Sequence, residues 1–351
     1  MAKKTGKNEE TFNYAAELRT LKERGPEKLY LFRGEEEYLR EQFLAALKKK
    51  CLPEGEDDFS YKRMDGPGLD AQKLRQAVDA MPFLTERTFI ELREIDVNHL
   101  SDPDACVKII SDIPDYCTVV FVLKPDYDID GRLRFIKTLR AEGRELNFTQ
   151  QSQGMLTDWI VRRFAAAGKG IELAAAQRLI FISGSLMSRL IPEIEKIAAY
   201  AKGEKVTAAD VEAVANHIPE ADVFEMTELI AQKKHNSALA VLSELLSDKN
   251  NEPIMIISVL GRQMRQLYAA RLAIEKNLGS KYVTEVCAVK YDFIASKLLA
   301  AARGFTLPQL KRAVELCAET EYRMKSSGAD ARELLKEAVL RIAAGEEHAS
   351  D

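Results

Sequence analysis

The sequence predicts an α/β N-terminal domain, a parallel sheet with helices on both faces, followed by two all-α domains. Three observations lead there. Short apolar, β-branched runs alternate with helix-spaced stripes over the first ~148 residues. The strand signal stops near residue 150. Beyond that point the apolar stripes have helical spacing.

The alternation can be followed element by element. Leu29-Tyr30-Leu31-Phe32 reads as a short buried strand ending at Gly34, and Leu39, Phe43, Leu44 and Leu47 mark a helix over Tyr38 to Lys50. A strand is expected from Phe59 to Met64, then a helix through Leu74, Val78 and Met81 that Asp70 can cap. Thr88 to Leu92 is another strand, and Val107, Ile109 and Ile110 suggest a short helix. Cys117 to Leu123 is the strongest strand signal in the chain. Leu133, Phe135, Ile136 and Leu139 give a helix, and Leu146 to Phe148 a last strand.

After residue 150, stripes through Trp159, Leu179 and Leu190 mark three helices, with Pro192 either kinking the third or lying in the first turn of a restarted one. Thr207 to Asp210 resembles a capping start, with Asp in place of Glu or Gln. Longer helices are expected at Val223–Lys233, His235–Leu246, Ile254–Lys276, Phe293–Ala302, Leu307–Glu319 and Ala331–Ala343. Pro253 and Pro308 fall at or near helix starts. The expected domains are residues 1–148, 149–216 and 217–351.

Composition narrows function. Lys plus Arg number 51 and Asp plus Glu 55, a net charge of −4, so there is no cationic excess to coat DNA by counterion release. Hydrophobic residues make up 46% of the chain, enough to offset ordering entropy. No apolar run approaches the length of a membrane helix, and the charged start lacks the apolar region of a secretory signal. The five cysteines are dispersed and form no CxxC, which suits a cytoplasmic setting without disulfides.

Catalytic signatures are weak. A phosphate loop would lie after the first strand, where glycine N–H groups, a Lys and a Ser or Thr hold nucleotide and magnesium. The stretch here is Phe32-Arg33-Gly34-Glu35-Glu36-Glu37-Tyr38-Leu39-Arg40, with one glycine, no Lys and no hydroxyl. Glu35, Glu36 and Glu37 suit a helix N-terminus and would repel a triphosphate. Thr88 to Glu94 lacks an Asp-Glu pair after its strand, with Glu91 inside it, and Asp126 reads as loop chemistry. None of the four histidines has metal-ligand spacing with another, so no metal and no cofactor are expected.

Two features stay open on the residues alone. Met81-Pro82-Phe83-Leu84-Thr85-Glu86-Arg87 is a proline-marked apolar cluster, either core or an exposed anchor for a partner's pocket. Arg262, Arg265 and Arg271, with Tyr268 between, form either a solvated ion-paired face or a contact to DNA phosphates or a neighbouring subunit.

The order of elements and the odd phosphate loop resemble the δ subunit of the bacterial DNA polymerase III clamp loader. The likeness runs over nearly the whole chain. It rests on Leu29 through Leu39, on Met81 through Arg87, on Glu193-Ile194-Glu195-Lys196-Ile197, and on Val223-Phe224 through Leu239 with the following Glu252-Pro253. Ser188-Arg189-Leu190 departs from the Ser-Arg-Cys arginine-finger motif of the δ′ and motor subunits.

The resemblance implies an AAA+-like first domain, a three-helix lid and a helical collar joining a subunit ring. It implies a protein that hydrolyses no ATP itself and belongs to a holoenzyme with DNA-directed DNA polymerase activity. Its partners would be the β sliding clamp, the γ/τ and δ′ subunits, and primed DNA through the complex, in the cytoplasm at the nucleoid. Phe83 and Leu84 fall on the family's hydrophobic plug, flanked by Met81 and Pro82. Two other classes remain, a divergent AAA+ NTPase and a helical DNA-binding scaffold without a clamp role.

Overall fold

The computed structural model describes residues 12–53, 60–82, 85–289 and 291–345, and the chain divides into two compact units. The first unit takes in residues up to 151 together with 186–188; the second takes in 152–185 and everything from 189 onward.

In the first unit the order is α1 (Tyr14–Arg24), β1 (Leu29–Arg33), α2 (Glu37–Cys51), β2 (Tyr61–Asp65), α3 (Ala71–Asp79), β3 (Thr88–Arg93), α4 (Pro103–Ile110), β4 (Cys117–Val122), α5 (Arg134–Glu142) and β5 (Arg144–Asn147). The strands form one parallel sheet in the order β2-β3-β4-β1-β5, with Leu31 opposite Phe121 and Ile90 opposite Val119. A parallel pair needs a crossover, and here helices supply each one.

Strand alternation sorts side chains to two faces. Leu29, Leu31, Ile90, Leu92, Val119 and Phe121 point to one face, where they share a core with residues of α3, α4 and α5. Tyr30, Phe32, Phe89, Thr118 and Val120 take the other parity and are also buried. There Phe32 meets Phe43 of α2 edge-on at 5.7 Å and Phe148 at 5.1 Å, and α1 packs on α2. Both faces are therefore covered, which is why the central strands are nearly continuous in apolar residues.

The second face carries a buried charge chain. Glu91 of β3 is 1% exposed. It accepts from Tyr61 Oη at 2.8 Å, pairs with Lys48 Nζ at 3.4 Å, and receives the Arg93 guanidinium. Arg93 also grips Glu41 of α2 in a fork, at 2.6 and 3.0 Å. Burial pushes the Glu91 carboxyl up, but hydrogen bonds from Arg93 and Tyr61 and the charges of Arg93 and Lys48 outweigh it and leave it below its usual value.

The second unit holds α6 (Gln153–Ala166), β6 (Gly170–Ile171), α7 (Leu173–Ser183), α8 (Met187–Tyr200), β7 (Lys205–Val206), α9 (Ala208–Val214), α10 (Pro219–Ala231), α11 (His235–Ser247), α12 (Pro253–Glu275), α13 (Ser280–Val286), α14 (Asp292–Ala302), α15 (Leu307–Ser326) and α16 (Ala331–Ala344), with the first residues of α8 counted in the first unit. The expected end of strand structure near residue 150 needs one correction. β6 and β7 form a parallel pair of two residues each, too short to show alternation in sequence. α8 runs on through Pro192 and does not restart, so Ser188 loses one acceptor role in the helix ladder. The capping box at Thr207 and Asp210 is present, and Thr306 with Gln309 forms a second one around Pro308. α12 lies central in a core shared with α10, α11, α14, α15 and α16.

Two outcomes follow from this packing. Gly34 has φ +106°, and a Cβ there would lie 2.5 Å from Phe148 O, a backbone atom that cannot move aside cheaply. Gly34→Ala is expected to cost at least about 2 kcal/mol in urea unfolding, and a midpoint equal to wild type would contradict the packing described. Glu91 has a depressed folded value, so its contribution is complete above its unfolded value and is lost as pH falls through the folded one. Glu91→Gln should flatten the acid limb of melting temperature against pH, and an unchanged acid limb would count against this network.

Candidate functional site

At the carboxyl end of β1 the chain turns at Gly34, and the Glu36 N–H donates to Phe148 O at 2.9 Å. Glu36 and Glu37 lie at the start of α2 as the sequence suggested, but the three glutamates have different surroundings. Glu35 is exposed and Glu37 lies in the first turn of α2. Glu36 holds the N-cap position without capping α2, because its carboxylate is fully buried and accepts the Met187 N–H at 3.3 Å.

Arg40 is the residue that sequence reasoning missed. The residue is 5% exposed, and Nη1 donates to Leu123 O at 3.0 Å and to Gly34 O at 3.5 Å. Nη2 donates to Glu37 Oε1 at 3.2 Å, and Nε lies 3.7 Å from Glu41 Oε1. The guanidinium thus sits on carbonyls at the carboxyl ends of β1 and β4, the end at which open α/β sheets receive ligands. The Glu37/Arg40 spacing was the available signal, since residues three apart share a helix face. Glu91 is committed to the buried charge chain, and Glu94 pairs with Lys124 at 3.4 Å.

The apolar cluster lies at the opposite, amino end of the sheet, in the loop from α3 into β3. Met81 is 77% exposed and Pro82 is half-buried; Phe83 and Leu84 lie outside the described residues. The far side of the loop is fastened. Thr85 Oγ1 bonds Ser60 Oγ at 2.8 Å and donates to Arg87 O at 2.7 Å, and Arg87 Nη1 reaches Thr118 Oγ1 at 3.5 Å.

The three arginines of α12 are not alike. Arg262 pairs with Glu220 at 3.1 Å and Arg271 with Glu275 at 3.2 Å, the ion-paired arrangement. Arg265 is exposed and has no ion pair among the described residues. His217, given no role in sequence, lies with Asp222 and Glu225 in a cluster whose polar atoms fall within 4.8 Å of one another.

Comparison with known proteins places this geometry in a family. The model "DNA polymerase III, delta subunit" matches residues 30–149, and "DNA polymerase III delta subunit, C-terminal domain" matches residues 220–342. The DNA polymerase III subunit delta of Bacillus subtilis (strain 168) is 24% identical over 328 residues, covering 90% of this chain and 92% of that protein. The probable DNA polymerase III subunit delta of Aquifex aeolicus (strain VF5) is 22% identical over 299 residues, covering 82% and 83%. Among solved structures, the Bacillus subtilis DNA clamp loader delta protein shares the fold at a TM-score of 0.54 and 21% identity, over 95% of this chain and 100% of that one. The two models fall in order on the sheet-bearing and helical parts and together span well over half of the sequence, and the chain belongs to the DNA polymerase III delta-subunit family.

Proposed function

We propose that this chain binds the β sliding clamp through the loop at Met81 to Leu84 and opens one clamp interface for loading onto primed DNA, in a complex with γ/τ and δ′ subunits. The observation that carries this reading, beside the family, is Met81. A large apolar side chain stands 77% exposed on a loop whose far side is hydrogen-bonded down. Opening follows if the contacts fit the open interface better than the closed one, because a ligand shifts an equilibrium only by differential affinity.

In this reading the chain does not hydrolyse ATP and acts as a non-catalytic component of a polymerase holoenzyme in the cytoplasm. Support comes from the carboxyl end of the sheet, where Arg40 and Glu36 fill space with their own charges. Residues 1–148 form the clamp-binding domain, 149–216 a lid and 217–351 a collar. Arg265, exposed without an ion pair among the described residues, is the arginine of α12 placed for a DNA phosphate or a neighbouring subunit, whereas Arg262 and Arg271 are already engaged.

The tests follow from these assignments. Phe83→Ala/Leu84→Ala should weaken clamp binding at least about tenfold in surface plasmon resonance, given the apolar area two such side chains remove from water. Met81→Ala should cost less. Wild-type affinity in a folded double variant would reject the reading. Equilibrium dialysis with labelled ATP should show no stoichiometric binding to the isolated chain; saturable binding would favour a divergent NTPase instead.

A further inference from the structure

The connector between α9 and α10, residues 215–218, is tied down by three backbone contacts. The Asn216 N–H donates to Glu193 Oε2 at 3.0 Å, the Ile218 N–H donates to Ile182 O at 2.8 Å, and Ser183 Oγ donates to Asn216 O at 3.0 Å. His217 stands in the middle of this segment, one quarter exposed, with Nδ1 2.6 Å from Asp222 Oδ1 of α10 and Nε2 3.9 Å from Glu212 Oε1 of α9. One ring therefore bridges the helix before the connector and the helix after it.

The charges around the ring favour a cation there. From α10, Asp222 and Glu225 lie within the same cluster, and Glu228 lines the adjoining cleft of about 190 Å³. From α9 comes Glu212, which Arg178 of α7 holds in a fork at 2.6 and 2.9 Å. Lys297 of α14 also acts on Glu212 and sits 4.7 Å over the Phe181 ring. Glu193 of α8, paired with Lys196 at 2.8 Å, faces the neighbouring Asn216. Four carboxylates around the ring and cleft against two fixed cations leave room for one more positive charge, and a proton on His217 supplies it. The 2.6 Å contact is a hydrogen-bond length, and Arg178 beside the group disfavours a divalent ion.

We propose that His217 is a proton-operated latch on this connector: as imidazolium it draws Glu212 of α9 and Asp222 of α10 together across the segment, and as neutral imidazole it keeps at most the Nδ1–H bond to Asp222 and gives up the attraction to Glu212, which loosens the segment. The hydrogen bond to Asp222 lifts the ring above its ordinary value of 6.5, while burial and Arg178 pull the other way without reversing it. The sign follows directly. The stabilisation is complete below the unfolded value and is lost as pH rises through the higher folded one. Opening would release the amides of Asn216 and Ile218 to solvent.

Hydrogen exchange on the full chain tests this, with rates corrected for intrinsic pH dependence. Wild type should lose protection several-fold over residues 215–218 between pH 6 and 8.5, with peptides from α12 and α15 unchanged. His217→Gln should be weakly protected and flat across that range. His217→Lys, cationic throughout, should be protected and flat. A flat wild type, or a step that persists in His217→Gln or in His217→Lys, would overturn the proposal. If the Gln variant does not fold, the Lys variant and wild type decide it.

Discussion

A buried guanidinium stays charged, so it must find acceptors, and the position of Arg40 follows from that constraint. The acceptors it finds are carbonyls at the carboxyl ends of β1 and β4 and Glu37 on its own helix, with the Glu41 carboxylate 3.7 Å from Nε as a charge partner. Those contacts fix the rotation of α2 over the sheet. With Arg40 seated, Glu41 is in reach of Arg93, Lys48 of Glu91, and Phe43 and Leu47 are buried beneath the helix. One helix thus carries a charge chain along its flank and an apolar stripe beneath, and neither could shift without stranding the other.

The parallel sheet then separates two kinds of surface. At its carboxyl end Gly34 presses on Phe148, Glu36 accepts the Met187 N–H and Arg40 donates to a strand-end carbonyl. Its amino end carries the loop into β3, with Met81 in solvent. In a doubly wound sheet these ends cannot exchange roles, since every crossover returns the chain in the same direction.

How much of this was legible in the sequence depends on length and contrast. β4 was plain because six consecutive buried residues leave one reading. α1 was missed because a single residue, Leu21, is buried in it, and only the Asn13 cap marked its start. α13 escaped for the same reason, with Val283 alone buried. The degenerate phosphate loop was readable as composition, but the divergence of its three glutamates was not. Which carboxylate turns inward depends on Met187, 151 residues away along the chain. The partners of Arg262 and Arg271 could be guessed from abundance of acid, whereas the isolation of Arg265 is a fact of tertiary placement.

That isolation has a geometric cause. Ile256, Ile257, Leu260, Gly261, Met264 and Leu267 of α12 are buried, and the close approach of α15 at Gly261, where a Cβ would meet Cys317 at 3.3 Å, leaves little of the helix uncovered. Apart from Glu275 at its last turn, the exposed residues are a narrow stripe at Met255, Ser258, Arg262 and Arg265, spaced three, four and three residues apart. A helix enclosed on its other sides can present only such a stripe to a partner. Glu220 draws Arg262 toward α10 at one end of it, and Arg265 is the arginine of this stripe without an ion pair among the described residues. The packing that makes α12 the centre of the helical core is therefore the same packing that selects which arginine faces outward uncompensated.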